Sequence, residues 1–194
     1  PNLEWNGVVN GSDLAKANCL NEFFCSVFTV SDGILPRFAS RTEAELKEIN
    51  FSPCKVSVAL NSLSSTFSAG VDEIPSIVLK KCRYDLVEGL RMLFTTCFET
   101  SVLPQDWLCA NVTPIYKGSG GTKHPTNYRP VSLTPSASKV MERIAKDEIL
   151  QHLLVNNLIN AHQHGFLPKK STLTELLECL NSWMAALERG EHVD

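Results

Sequence analysis

Apolar residues recur at intervals of three and four along most of this chain and alternate in one short stretch. That pattern predicts an α+β protein that is mainly helical, with one antiparallel β-hairpin. Ser12 is placed to cap a first helix running to about Phe28, with Leu20, Phe23, Phe24, Val27 and Phe28 on one side. Ser31-Asp32-Gly33 ends it and a loop reaches Ser40. Thr42 and Glu45 have capping-box spacing for a short helix. Ser52-Pro53 opens another, since proline at the first helical position has no amide hydrogen to leave unpaired, and Val56, Ala59, Leu60 and Leu63 form its apolar face.

The turn chemistry of Ser68-Ala69-Gly70-Val71-Asp72-Glu73-Ile74-Pro75 precedes two helices, near 75–82 and 85–101. The second is rich in leucine and phenylalanine and is expected to be central to the core, and Leu103–Trp107 adds a brief turn. Strands are expected at 109–116 and 128–133, joined by a ten-residue, glycine-rich loop from Gly118 to Asn127. Thr134-Pro135 starts a long helix to about Asn156. After the Gln163-His164-Gly165 turn, Thr172 with Glu175 offers a capping box for a last helix. Its stripe of Leu173, Leu176, Leu177, Leu180, Trp183, Met184 and Leu187 reads as inward-facing. Gly190 stops this helix, and Val193 would begin a further strand.

The net charge of −3 argues against a generally basic nucleic-acid binder, but the average conceals an asymmetry. Residues 110–170 carry 8 Lys+Arg against 3 Asp+Glu, whereas residues 1–109 carry 9 against 13 and residues 171–194 carry 1 against 5. A positive middle between acidic flanks suits a local polyanion-facing surface, or simply a solvated one. The 194 residues can bury a real core and suit one domain or a lobe of a larger one. No apolar run is long enough to span a bilayer. The seven cysteines are scattered without a C-x-x-C pair and mostly fall in apolar patterns, so they read as reduced, buried, intracellular thiols.

The strongest candidate chemistry is in the hairpin. Lys117 ends one strand and Arg129 opens the next, so both cations lie beside the same loop. Arginine grips phosphate oxygens bidentately and lysine acts as a mobile point charge, so the pair suits a triphosphate; two solvated strand-end cations would look the same by spacing. The loop glycines resemble a phosphate-binding P-loop only superficially, because Gly-Lys-Ser/Thr and an immediate helix are both missing. In Phe166-Leu167-Pro168-Lys169-Lys170, two cations stand before a helix N-terminus with Ser171, which reads either as a backbone-phosphate contact or as a solvated basic turn. His162 and His164 have metal-like spacing, but no cysteine or carboxylate joins them at ligand spacing, so ordinary hydrogen bonds are expected. Asp72 is expected to order its turn.

These residues carry a family resemblance. ANVTPIYKG, NYRPVSLTPSASKVMERI and NLINAHQHGF, followed by the Ser171-Thr172 pair, resemble the opening of the reverse transcriptase domain of non-LTR, LINE-like retrotransposons, in particular the jockey-like group. Gly70, Asp72, Ile74 and Pro75 match that family's Pro-Gly-x-Asp-Gly-Ile-Pro turn, and LPQDWLCANVTPIYK and the helix ending FFCSVFT are also similar. The resemblance implies a fingers subdomain of a right-hand polymerase at 68–194, ending before the palm, with a helical N-terminal extension at 1–67. It implies that Lys117 and Arg129 contact the triphosphate of the incoming dNTP, and that the Gly165-Phe166 region borders the template and nucleotide pocket; Lys169 and Lys170, read above as a backbone-phosphate contact, are counted with it as nucleic-acid-binding residues. The implied partners are RNA template, DNA primer and a palm C-terminal to this segment, with no membrane. The implied setting is intracellular, nuclear and cytoplasmic, in a retrotransposon ribonucleoprotein. Two Mg²⁺ ions would be bound by palm aspartates, the first expected a few residues beyond Asp194, so the segment alone is expected to be inactive. Departures are Leu167 and Lys170 where the family usually has arginine, Lys169 where it has glycine, and Ala69, Val71 and Glu73 in place of proline, proline and glycine. They are compatible with a decayed element copy. A non-catalytic nucleic-acid-binding module and an inert relic are the alternatives.

Overall fold

The structure, a computed structural model, describes residues 2–35 and 38–192. The strand expected from Val193 and the residue Asp194 lie outside the described residues. The chain forms two units, Pro1–Ala39 with Lys47–Glu148, and Ser40–Leu46 with Ile149–Asp194.

The first unit holds two apolar cores. The larger is built on α2 (Pro53–Asn61), α4 (Arg83–Thr100) and the N-terminal part of α5 (Ser136–Val155). The Ser52 side chain caps α2 by accepting the Lys55 amide, and Pro53 occupies the first turn. That orientation buries Val56 and Leu60 with Phe94 of α4 and Val140 and Ile144 of α5. Phe94 is fully buried, its ring 5.8 Å from Phe51 and 5.9 Å from Trp107. The expectation that the leucine- and phenylalanine-rich helix is central therefore holds through this one ring. Between α2 and α4 lies the short α3 (Ser76–Lys81).

The smaller core joins the N-terminus to the predicted hairpin. The described residues form two hairpins, not one: β1 (Leu3–Trp5) pairs antiparallel with β2 (Val8–Asn10) ahead of α1 (Asp13–Ser26). The turn is Asn6-Gly7 with φ of 51° and 77°, the left-handed pair that a two-residue hairpin needs. Three-residue strands are too short to show alternation, which is why periodicity alone passes over them. Leu3 packs with Cys19, Leu20 and Phe24 of α1, and Trp5, Phe23 and Tyr128 close around them. Tyr128 opens β4 (Tyr128–Leu133), which pairs with β3 (Asn111–Tyr116).

Gly70 presses against the start of α5. A Cβ built there would lie 2.5 Å from the Pro135 nitrogen and 2.6 Å from the Thr134 carbonyl carbon. Asp72 orders this turn as expected, accepting the Ile74 amide at 3.2 Å.

The second unit contains the C-terminal part of α5, α6 (Thr172–Glu188) and the loop between them. Three expectations change here. No helix forms at Thr42–Glu45: the Thr42 hydroxyl accepts the Ala44 amide two residues on, but the turn so made is not continued. The capping box of α6 is Ser171 with Thr174, one residue earlier than the spacing of Thr172 and Glu175 suggested. The apolar stripe of α6 is not inward: Leu173 to Leu187 are 48–65% exposed, and His164 is the one buried side chain among the described residues of this unit. Gly190 stops α6 as expected, with the Glu191 amide bonded to the Ala186 carbonyl and the Gly190 amide to that of Leu187.

All seven cysteines are free, but Cys25, Cys54, Cys82 and Cys109 are exposed. They sit at helix ends, a helix joint and a strand approach, where neighbouring apolar residues do not imply burial. No helix among the described residues is long and apolar enough to cross a membrane.

Two glycines separate close packing from open space. Gly70→Ala should lower stability by about 1–3 kcal/mol through overpacking. Gly89→Ala, in α4 with nothing within 4 Å of its would-be Cβ, should raise it by about 0.5–1 kcal/mol. Urea unfolding of both variants checks the pair, and equal behaviour would contradict the close approach at Gly70.

Candidate functional site

The β3–β4 register decides which residues share a face. Tyr116 lies opposite Tyr128, Ile115 opposite Arg129 and Pro114 opposite Pro130. The ladder continues one step further, with the Lys117 amide donating to the Asn127 carbonyl at 2.8 Å. Strand alternation then puts Lys117, Ile115 and Arg129 on one face, with the two cations on the diagonal. The other face carries Val112, Pro114, Tyr128 and Pro130, which line a groove of about 770 Å³ shared with α1. The two expected phosphate ligands are thus brought together on the exposed side of the hairpin.

Their states differ. The Lys117 Nζ donates to the Thr126 carbonyl at 2.6 Å, whereas the Arg129 guanidinium makes no hydrogen bond or ion pair among the described residues. No carboxylate neutralises Lys117, Lys123 or Arg129 among those residues, although ion pairs form elsewhere on the surface. Lysine has three donor hydrogens, so Lys117 keeps two for another acceptor while bonded to Thr126.

The loop between the strands is more tied down than its glycines suggest. The Tyr116 hydroxyl donates to the Gly120 carbonyl, Asn127 Nδ2 to Gly121 at 2.6 Å and the Tyr128 hydroxyl to Thr122 at 2.8 Å. Gly120 has φ of 78°, and a Cβ there would meet the Asn127 side chain at 2.7 Å.

In the second unit, Gly165 accepts from the Gln163 side chain at 3.0 Å. Phe166 is fully exposed, with φ of 63°. That left-handed conformation is costly for a bulky residue, and here it holds an aromatic ring in solvent. Lys169 is exposed and also left-handed, at φ 63°. Lys170 instead donates to the Ala161 carbonyl at 2.6 Å. The Ser171–Thr174 box satisfies the amide of Thr174 in the first turn of α6, so this helix start is less open than its sequence suggested.

Glu178 is the residue that sequence reasoning missed. Its carboxylate accepts from His162 Nδ1 through one oxygen and from His164 Nε2 at 2.7 Å through the other, and His164 Nδ1 meets the Thr174 hydroxyl at 2.7 Å. The histidines make the hydrogen bonds expected of turn histidines, with a partner sixteen residues from His162 and fourteen from His164, on the next helix. Only the placement of Glu178 and Thr174 at successive turns of α6, on one side, hints at it. The hydrogen bonds from His164 and then His162 hold the Glu178 carboxyl below the usual glutamate range. Among the described residues, no group of three His, Cys, Asp or Glu could hold a metal ion.

Comparison with known proteins gives this geometry a context. The chain is similar to a probable RNA-directed DNA polymerase from transposon X-element of Drosophila melanogaster, 26% identical over 142 residues, 73% of this chain and 16% of that protein. It is also similar to the corresponding probable polymerase from transposon BS, 25% identical over 134 residues, 69% of this chain and 15% of the relative. A third relative is the RNA-directed DNA polymerase from mobile element jockey of the same organism, 26% identical over 123 residues, 63% of this chain and 13% of the relative. These relatives are polymerases of non-LTR mobile elements, as the NYRPVSL and surrounding motifs imply. The chain spans about a sixth of the length of the curated relatives it matches. No protein-family model matches it.

The depressed Glu178 carboxyl fixes the sign of a pH effect. A folded value below the unfolded one gives stabilisation that is complete above the ordinary glutamate pKa of about 4.3 and is lost as pH falls through the folded value. The urea midpoint of the parent chain should therefore fall on acidification below that range. Glu178→Gln should start lower at neutral pH and change less across the same window.

Proposed function

We propose that the chain is the fingers part of a non-LTR retrotransposon RNA-directed DNA polymerase, residues 68–194, preceded by an extension at 1–67. The observation that carries this reading is the similarity to three such polymerases over most of the chain, joined to an unneutralised cation pair on one hairpin face. The whole protein's activity is RNA-templated addition of dNTPs to a DNA primer. In it, Arg129 offers a planar fork to the triphosphate and Lys117 a point charge that can leave the Thr126 carbonyl.

Gly165, Phe166, Lys169 and Lys170 are proposed to run along the template. An exposed ring suits stacking on an unpaired base, and Lys169 supplies a free charge for the backbone. Lys170, bonded to Ala161, shapes the segment. The proposed ion of the complete enzyme is Mg²⁺, which stabilises charge on the reacting phosphate when bound. The described residues provide no fitting ligand group; the role proposed for this chain is to hold nucleotide and template. The remaining partners are the DNA primer and a palm C-terminal to this segment. The proposed setting is an intracellular ribonucleoprotein, nuclear and cytoplasmic.

Two measurements test this reading. Replacing Lys117 and Arg129 together by alanine should weaken dTTP binding to the 194-residue chain by about tenfold or more, since each charged hydrogen bond contributes about 1.5–3 kcal/mol. Unchanged affinity would remove the clamp. Phe166→Ala should cost about 1–3 kcal/mol in binding single-stranded RNA, with an affinity that falls steeply with salt in the parent. RNA binding indifferent to both salt and the ring would contradict the template assignment.

A further inference from the structure

Five carbonyls around the β3–β4 loop are turned toward donors of the protein itself. Gly120 accepts from the Tyr116 hydroxyl, Gly121 from Asn127 and Thr122 from the Tyr128 hydroxyl. Lys123 accepts the backbone amide of Glu4 in β1 at 2.7 Å, and Thr126 accepts the Lys117 ammonium. By contrast, no backbone N–H from Gly118 to Lys123 finds an acceptor among the described residues, and that whole stretch is exposed. From Gly120 to Lys123 the carbonyls are occupied and the amides open. Gly118 and Gly120 are both left-handed, with φ of 80° and 78°. Alternation into that region lets successive amides converge on one anion.

We propose that the backbone amides of residues 118–123 form a binding site for the phosphate chain of a nucleotide. In it, Tyr116, Asn127, Tyr128 and strand β1 act as positioning elements. This rests on the nucleotide reading above and adds to it contacts that no side-chain charge supplies. Lys117 and Arg129 flank the loop at its two ends and set the local sign. The carbonyl ties keep the opposing partial charges away from the ligand, so a phosphate meets donors without having to reorganise the loop. Tyr128 couples this order to the N-terminus, because its ring packs beside the Leu3, Leu20 and Phe24 cluster while its hydroxyl holds Thr122.

The experiment is a titration of the ¹⁵N-labelled 194-residue chain with inorganic tripolyphosphate at constant ionic strength, followed by amide NMR. Saturable shifts at Gly118, Gly120 and Gly121 are expected. Tyr128→Phe keeps the packed ring and removes the hydroxyl, and should weaken binding about three- to tenfold with an unchanged urea midpoint. Gly120→Ala, which collides with Asn127, should weaken binding likewise without altering charge. If loop amides never shift and both variants bind like the parent, while the Lys117→Ala, Arg129→Ala double variant loses binding, the loop site is overturned and the nucleotide reading stands. If the parent shows no saturable tripolyphosphate binding at millimolar concentration, both fall.

Discussion

Two prolines placed opposite one another set the geometry on which the candidate site depends. Pro114 and Pro130 face each other across the β3–β4 ladder, and neither has an amide hydrogen to donate. Antiparallel pairs alternate between sites that exchange two backbone hydrogen bonds and sites that exchange none. The Lys117–Asn127 bond places Pro114 and Pro130 at a non-exchanging site, three steps along the alternation. Slipping one strand by a single residue would move a proline into a site that needs its missing hydrogen and turn one set of side chains to the opposite face. The proline pair therefore selects the register that puts Lys117 and Arg129 on the same side.

A two-stranded ribbon is marginal in water without backing, so the opposite face of the hairpin matters as much as the cationic one. Tyr116 and Tyr128 are a cross-strand pair with ring centroids 5.7 Å apart, and Tyr128 also joins the apolar cluster of Leu3, Leu20 and Phe24. The first strand and α1 supply that backing. The N-terminal region and the hairpin consequently share one small core, and the Glu4 amide reaches the loop itself. A segment that looks like a separate helical extension in sequence is part of the physical support of the hairpin.

The helices of the first unit were legible because their signals are local and repeated. Ser12 and Ser52 cap where their spacing to the apolar stripes required. The main hairpin was legible for the same reason, from alternation between strong turn residues. What escaped was either too short or too distant. Asn6-Gly7 is a strong turn signal, but its flanking strands have three residues each. The Thr42–Glu45 spacing matched a cap, and the hydroxyl does hold the Ala44 amide, yet no helix follows the turn. Glu178 joins two histidines across a loop, a pairing that no spacing rule reports. For the candidate site, sequence named the cations, whereas the inward carbonyls that organise their loop come from tertiary contacts with β1 and the two tyrosines.

The two cations also start from different states, and that difference bears on what they select. The Arg129 guanidinium is free of partners among the described residues, so any anion can approach it. Lys117 keeps two donors while bonded to the neutral Thr126 carbonyl, and only a ligand that draws on the third displaces that bond. A charged phosphate oxygen forms the stronger, charge-assisted bond, whereas a neutral acceptor gains nothing by the exchange. Engaging both cations together thus favours a ligand with several charged oxygens along a chain. The proposed nucleotide reading asks for that selection by charge density.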